Sequence, residues 1–288
     1  MTIKEIDERL DEGLSLKYVA QAYSEIASLK VKKIRGAVER NRQFLDEISK
    51  IYGIVKAFAI EKKVVLQKPK KRLAILITSN YKFYGNINTS LINYFIGSTR
   101  QLLDMDRIIL GKGAIDFFRA TKILPSKIEV QLEDDMPQTS ELINLANQIS
   151  QYNQVLVFYS KFKSLLLQRP TFADLTALSF YLRQKASSAY LSASNIQGFL
   201  FEPELPKVLN FFETQVLTLL LEQTFLESEL SRTASRFISM DTAESEADKF
   251  IKEYQKLKGY AKKSLENNKI LENYSSLIAR KREGYESI

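Results

Sequence analysis

No proline falls before Pro69, and none follows Pro206. These two clear runs, at opposite ends of a 288-residue chain, constrain the fold more than any short motif does. A proline inside a helix removes a backbone hydrogen bond and clashes with the preceding turn. Only proline-free runs of this kind can carry very long helices, and both runs have the helical pattern. In the first, apolar side chains recur three and four apart: Ile3, Ile6, Leu10, Tyr23, Ala27, Val31, Ile34, Val38, Leu45, Ile48 and Val55. In the second they are Leu209, Phe212, Val216, Leu219, Leu226, Leu230, Phe237, Met240, Ala247, Ile251 and Tyr254. The phase slips near Leu257 and resumes through Ala261, Leu265, Leu271 and Ile278. At about 1.5 Å per residue the second helix reaches roughly 110 Å, more than any compact domain needs. Two such helices bury their seams most simply as an antiparallel coiled coil. The residues between them then form the return path.

That return path has a different grain. "RLAILITS" (71–78), "RIILGK" (107–112), "KIEVQLE" (127–133) and "QVLVFYSKF" (154–162) are short and β-rich. Helical stretches lie between them at Ile87–Leu103, Gly113–Thr121 and Thr139–Tyr152. Strands alternating with helices predict an α/β domain with a mainly parallel sheet. "PTFADLTAL" and "GFLFEP" are candidate further strands, and "SFYLRQKASSAYLSASN" reads as helix or loop. The predicted parts are 1–66 (N-terminal helix), 67–205 (α/β domain) and 206–288 (C-terminal helix).

Composition removes several kinds of chemistry. The chain has no cysteine and no histidine. Disulfides, thiolate metal sites and thiol nucleophiles are therefore excluded, as are the commonest general base and the commonest transition-metal ligand. A net charge of +8 raises the question of nucleic acid. The basic stretch "LKVKKIRGAVERNRQF" nonetheless follows an amphipathic helical pattern, and no zinc-finger, RNP or GXXG signature accompanies it. No apolar run is long enough for a transmembrane helix, and "MTIKEIDERLDEG" lacks an apolar signal core. The expectation is a cytoplasmic protein with no cofactor and no metal.

Two stretches invite a phosphate. "TSNYKFYGNINTSL" (78–91) follows the first apolar strand, where many α/β proteins hold a nucleotide, and "GKG" (111–113) follows the second. Neither has the spacing of a G-x-x-x-x-G-K-[ST] cradle or a G-x-G-x-x-G fingerprint. Gly85 alone cannot line a phosphate. It is expected to permit a turn, with Asn88 capping the next helix; "GKG" reads as a strand end and a helix start. Glu133, Asp134 and Asp135 are candidate Mg²⁺ ligands, and a solvated acidic turn before Pro137 is the favoured reading.

Several motifs, in order along nearly the whole chain, resemble the gamma subunit of rotary F-type ATP synthases, the central rotor shaft. "IKEIDERL" resembles the family's opening Ile-Lys-Glu-Ile helix. "AYSEIASLK" matches an Ala-Met-Lys-Met-Val-Ala-Ala-x-Lys stretch at Ala22, Ala27 and Lys30. "TSNYKFYGNIN" matches Thr-Ser-Asp-Arg-Gly-Leu-Cys-Gly-Gly-Leu-Asn at Thr78, Ser79, Gly85 and Asn88. "LGKGAIDFF" is similar to Ile-Gly-x-Lys-Gly-x-x-Phe-Phe, and "FLFEPE" to Tyr-x-Tyr-Glu-Pro-Asp. "SRTASRFISMDTA" keeps Ser231, Ala234, Arg236, Met240 and Ala243 of the C-terminal motif.

The resemblance implies a long antiparallel coiled coil of N- and C-terminal helices with an inserted Rossmann-like α/β domain. It implies a non-catalytic subunit that couples rotation to ATP synthesis or hydrolysis. Its partners would be the alpha and beta subunits of a catalytic ring, a small epsilon-like subunit and the membrane carrier ring. The protein would lie peripheral to the cell membrane through that complex. Lys30, Lys32, Lys33 and Arg35 would face acidic loops of the catalytic subunits, or else be solvated. Arg232, Arg236 and Met240 would line the other side of this neck. Tyr274, Leu277 and Ile278 would sit in the bearing at the shaft's tip.

Departures mark a divergent member, suited to an unusual or repurposed rotary ATPase. Tyr23 and Glu25 replace family methionines, Arg232 replaces a family glutamate, and Asp7, Glu8, Asp11 and Glu12 are acidic where relatives are commonly basic. The tail "RKREGYESI" (280–288) extends past the family's usual end near Ala279. Its charges do not suit a dry sleeve, and the helix is expected to stop before Gly284. The rival reading is a helical scaffold or nucleic-acid-binding protein that uses a related fold. A carboxylate-only enzyme is a more remote one.

Overall fold

The computed structural model describes residues 2–62, 71–102, 104–123, 128–176 and 202–283. Helix α1 spans Ile3–Glu61, and the last helix, α5, spans Leu205–Glu283. Between them lie β1 (Arg72–Ile77), α2 (Ile87–Thr99), β2 (Met105–Leu110), α3 (Lys112–Thr121), β3 (Ile128–Val130), α4 (Thr139–Ile149), β4 (Gln154–Phe162) and β5 (Gln168–Asp174). "GFLFEP" up to Phe201, "SFYLRQKASSAYLSASN" and the end of the tail lie outside the described residues.

Burial along α1 has the period of a coiled-coil seam. Ile6, Gly13, Ala20, Ala27, Ile34 and Asn41 are buried at seven-residue intervals, as are Val38, Leu45, Tyr52 and Ala59. Those two rows, offset by four and three, are the a and d positions of a heptad.

The chain forms two compact units, residues 1–25 with 239–288, and residues 26–238. In the first, the two helices run antiparallel. Asp7 pairs with Lys258, Gly13 approaches Phe250 and Ile251, and Lys17 pairs with Asp248 at 2.7 Å. A Cβ on Gly13 would stand 2.9 Å from a Phe250 ring carbon, so a small residue there lets the helices touch. Beyond the partners of α1, α5 is uncovered: Leu265, Ile270, Leu271, Tyr274, Leu277 and Ile278 are all exposed.

The second unit contains the sheet, in the order β3-β2-β1-β4-β5. The first four strands are parallel, and β5 closes the edge antiparallel to β4, with Phe158 opposite Phe172. The apolar run of β1 is explained by its two faces. Leu73, Ile75 and Ile77 enter a core with α4, α1 and α5, while Ala74 and Leu76 enter a second core with α2 and α3. Side chains alternate across a strand, so a strand covered on both sides must be apolar throughout. The predicted strand within "PTFADLTAL" is β5. Among the described residues of "KIEVQLE", Ile128–Val130 are in strand and the rest are not, and α2 and α4 end at Thr99 and Ile149, three to four residues before the expected limits.

Candidate functional site: a buried polar cluster at the sheet's carboxyl edge

Connections from β1 run to β2 and then β3 on one side, while β4 lies on the other side of β1. In open α/β sheets the crevice outside the strand ends at such a reversal is where ligands bind. Residues 78–88 leave β1 at that point, so the phosphate question belongs there.

The crevice is occupied by the chain itself. The Thr78 hydroxyl donates to Leu110 O at 2.8 Å and accepts the Ala114 N–H at 3.2 Å. Gly113 N–H donates to Ser79 O at 3.0 Å, and Lys112 N–H donates to Asn80 Oδ1 at 3.0 Å. The amides at the start of α3, the groups a phosphate would need, are therefore taken by the loop. Gly111 has φ +94°, and a Cβ there would come within 2.5 Å of Thr78 O. "GKG" is thus a strand end and a helix start, as its sequence suggests, with glycine required for close approach. Gly85 has φ +61° and makes the expected turn. Asn88 does not cap α2: the helix begins at Ile87, and Asn88 Nδ2 donates to Ser79 Oγ at 2.6 Å.

The acidic run is also corrected. Asp135 is buried at 3% exposure, not solvated. Its carboxylate accepts the Asn80 N–H at 2.5 Å and the Tyr84 hydroxyl at 2.6 Å. Asp134 accepts the Asp135 N–H, and Glu133 accepts from Gln138. No three acidic side chains gather as a metal site among the described residues.

Helix α5 closes the crevice from above. Between Val216 and Ala234 it is buried on nearly every side, because α1 covers one flank and the sheet the other. Polar side chains in this stretch must find partners inside the protein. Arg232, 1% exposed, stacks its contacts tightly. Nε and Nη2 donate to Glu229 Oε2 at 3.3 and 2.9 Å, and Nη1 donates to Ser228 Oγ at 2.9 Å. The same guanidinium reaches Asp135 O at 3.3 Å and Thr78 O at 3.5 Å. Lys30 of α1 meets the other Glu229 oxygen at 2.5 Å. One turn on, Ser235 Oγ donates to Tyr84 O at 2.8 Å, and Arg236 donates to Lys82 O at 3.0 Å. The Arg236 guanidinium lies 3.9 Å over the Tyr84 ring, a cation–π contact.

Lys30 and Arg232 set two positive charges against Glu229 and Asp135, and Arg236 adds a third beside Tyr84. Burial opposes ionisation of Glu229, but the fields of Arg232 and Lys30 outweigh it and hold the carboxyl below its ordinary value. Burial likewise opposes the Arg232 charge, and Glu229 and Asp135 more than compensate, raising its pKa. Burial, then Glu229 and Asp135, push the Tyr84 phenol up, so it stays protonated and donates. A buried ion pair is tolerated where its own donors and acceptors are paired, as those of Arg232 and Glu229 are.

The predicted contact residues therefore separate. Lys32, Lys33 and Arg35 are exposed. Lys30 is half-exposed and committed to Glu229. Arg232 is turned into its own chain, so its guanidinium does not line an outward face; the physical reason is that the sheet and α1 leave no open side at this height of α5. Arg236 and Met240 are half-buried, and Tyr274, Leu277 and Ile278 are exposed. Side chains of residues 279–283 lie outside the description. Sequence reasoning missed Glu229, Tyr84 and the internal role of Asp135. One signal was available: Glu229 and Arg232 are an i,i+3 pair set among the seam residues Leu226, Leu230 and Ala234.

A family model described as ATP synthase matches residues 2–261. A protein named ATP synthase gamma chain from Xanthomonas axonopodis pv. citri is 23% identical, covering 96% of this chain and 98% of that one. One of the same name from Staphylococcus carnosus is 25% identical over 87% and 89%. Among solved structures, a Euglena gracilis mitochondrial ATP synthase rotor chain aligns with TM-score 0.59 at 17% identity, covering 91% of this chain and 98% of that one. A chain of the Tetrahymena thermophila mitochondrial central stalk and c-ring aligns with TM-score 0.57 at 21% identity, covering 78% and 99%.

Proposed function

Because the chain belongs to the gamma-chain family of ATP synthases, we propose that it is the turning shaft of a rotary ATPase, with chemistry left to the subunits around it. One observation carries the reading: an antiparallel helix pair whose longer member, α5, outruns its partner and there exposes Leu265, Ile270, Leu271, Tyr274, Leu277 and Ile278. Apolar side chains that none of the described residues cover call for a sleeve. Alpha and beta subunits of a catalytic ring supply it, gripping Tyr274, Leu277 and Ile278.

The shaft is asymmetric, so as it turns it favours a different conformation at each catalytic site. That is a coupling free energy carried by rigid elements. Lys32, Lys33, Arg35 and Arg236 face acidic loops of the catalytic ring, and Met240 is a separate contact with it. The α/β domain contacts an epsilon-like subunit and the ring of membrane carriers. The protein is then peripheral to the membrane through its partners; no helix among the described residues is long and apolar enough to cross one. The rotor and stalk context of the solved relatives supports these assignments.

Affinity purification of the tagged full chain from its native cells, followed by mass spectrometry, tests the reading. Two ATPase subunits in stoichiometric excess over this chain are expected. Recovery of the chain without any ATPase subunit overturns it in favour of a scaffold.

A further inference from the structure

We infer that Arg232 is the point at which the α/β domain is locked in rotation to α5, a positioning residue for torque transfer. The inference rests on the shaft reading above. In a shaft, load has to pass between the helices and the domain around them. Most of their contact is apolar: Leu217, Leu220, Leu221 and Phe225 pack on the core that also contains Leu73, Ile75 and Val157. Such packing resists separation, but dispersion and burial have little directionality, so it resists twist less than it resists opening.

The polar cluster is directional. A guanidinium offers donors in a fixed plane, and that of Arg232 is held by four groups on three segments. Glu229 and Ser228 orient it on α5. Thr78 O belongs to the end of β1, and Asp135 O to the turn before α4. Glu229 in turn holds Lys30, so α1 joins the same node. The two loop acceptors are themselves immobilised. Thr78 is tied to β2 and α3 through its hydroxyl, with Gly111 packed against its carbonyl. Asp135 is tied to Asn80 and Tyr84. Rotating α5 about its axis would shear all of these bonds together, and since Thr78, Asp135, Glu229 and Arg232 are buried, leaving them unmade is costly. Ser235 and Arg236 extend the grip to Tyr84 O and Lys82 O.

The chain lacks cysteine, so a single Ser98→Cys on the exposed face of α2 offers a unique handle. The complex of this chain with its catalytic ring is fixed to a surface, and a bead on that handle reports rotation and torsional stiffness. Arg232→Met keeps the length of the side chain and removes its bonds. Expected is an unloaded hydrolysis rate within about two-fold of the parent, together with a fall in torsional stiffness of three-fold or more and stalling at lower load. Leu230→Ala, a buried apolar truncation in the same turn, is the stability-matched control and should leave stiffness unchanged. Lys30→Met, at a half-exposed site, should lower stiffness less but in the same direction. It decides the matter if the Arg232 variant does not assemble. Unchanged stiffness in an assembled Arg232→Met complex, or in Lys30→Met where only that assembles, overturns the inference while leaving the shaft reading intact. Failure of the parent chain to bind any catalytic ring overturns both.

Discussion

Gly111 shows how one backbone angle links two strands to a helix. Its positive φ and the 2.5 Å approach expected of any Cβ to Thr78 O make Gly111→Ala doubly unfavourable. The substitution should destabilise the chain by more than about 1 kcal/mol, read from urea unfolding, whereas Gly97→Ala, with open space around it in a helix, should not destabilise. Glu229 gives the second residue-scale prediction. Burial works against its charge, but Arg232 and Lys30 bring its folded pKa below the ordinary 4.5. The stabilisation is therefore complete above that value and is lost as pH falls through the lowered one. Wild type should lose stability below about pH 4.5 more steeply than the Glu229→Gln/Arg232→Met double variant. Parallel acid profiles for the two would show that the pair contributes nothing of this kind.

At the scale of elements, the α5 segment from Val216 to Ala234 is the one that carries both seam and sheet. Leu230 sits there, buried with Ile34 and Val38 of α1. Leu230→Pro removes a helix bond and adds a clash, at a cost of about 3 kcal/mol or more. The complex should fail to assemble or should hydrolyse ATP without coupled rotation. Normal rotation under load in that variant would contradict the shaft reading. The neck of α1 behaves differently. Lys32, Lys33 and Arg35 are exposed, so reversing all three to Glu should move stability by no more than about 1 kcal/mol. The salt dependence of hydrolysis in the complex should change. Kinetics that match the parent at both low and high salt would mean that these charges are only solvated.

For the whole molecule, the distribution of polar satisfaction matters more than any single contact. The crevice where an α/β sheet would offer nucleotide binding is filled by Thr78, Asn80, Asp135 and Arg232 with one another and with the start of α3. A ligand would have to displace bonds that are already made. Calorimetry of the isolated chain with Mg-ATP should give no saturable heat at micromolar concentrations. A tight site would show that the crevice opens, and that this subunit does more than transmit rotation.

Much of the architecture was legible in the residues. Proline-free ends and a three-four apolar period predict α1 and α5, because a helix in a two-helix seam buries one stripe and shows the rest to water. "RLAILI" and "QVLVFYSKF" predict buried strands because both faces of this sheet are covered. Gly85 and "GKG" predict their turns from local sterics alone. Arg232 could not be placed that way. The family resemblance sets it in the neck facing partners, and only the sheet packed against that face of α5 shows it turned inward. Its acceptors Thr78 O and Asp135 O are 154 and 97 positions away. The same holds for Asp135, which reads as a solvated turn until Asn80 and Tyr84, more than fifty residues earlier, reach it. Local chain physics determined which segments become helix and strand. The burial and pairing of each charge were decided by contacts between distant segments, since a buried ion is tolerable only where the tertiary fold delivers its counter-charges and acceptors.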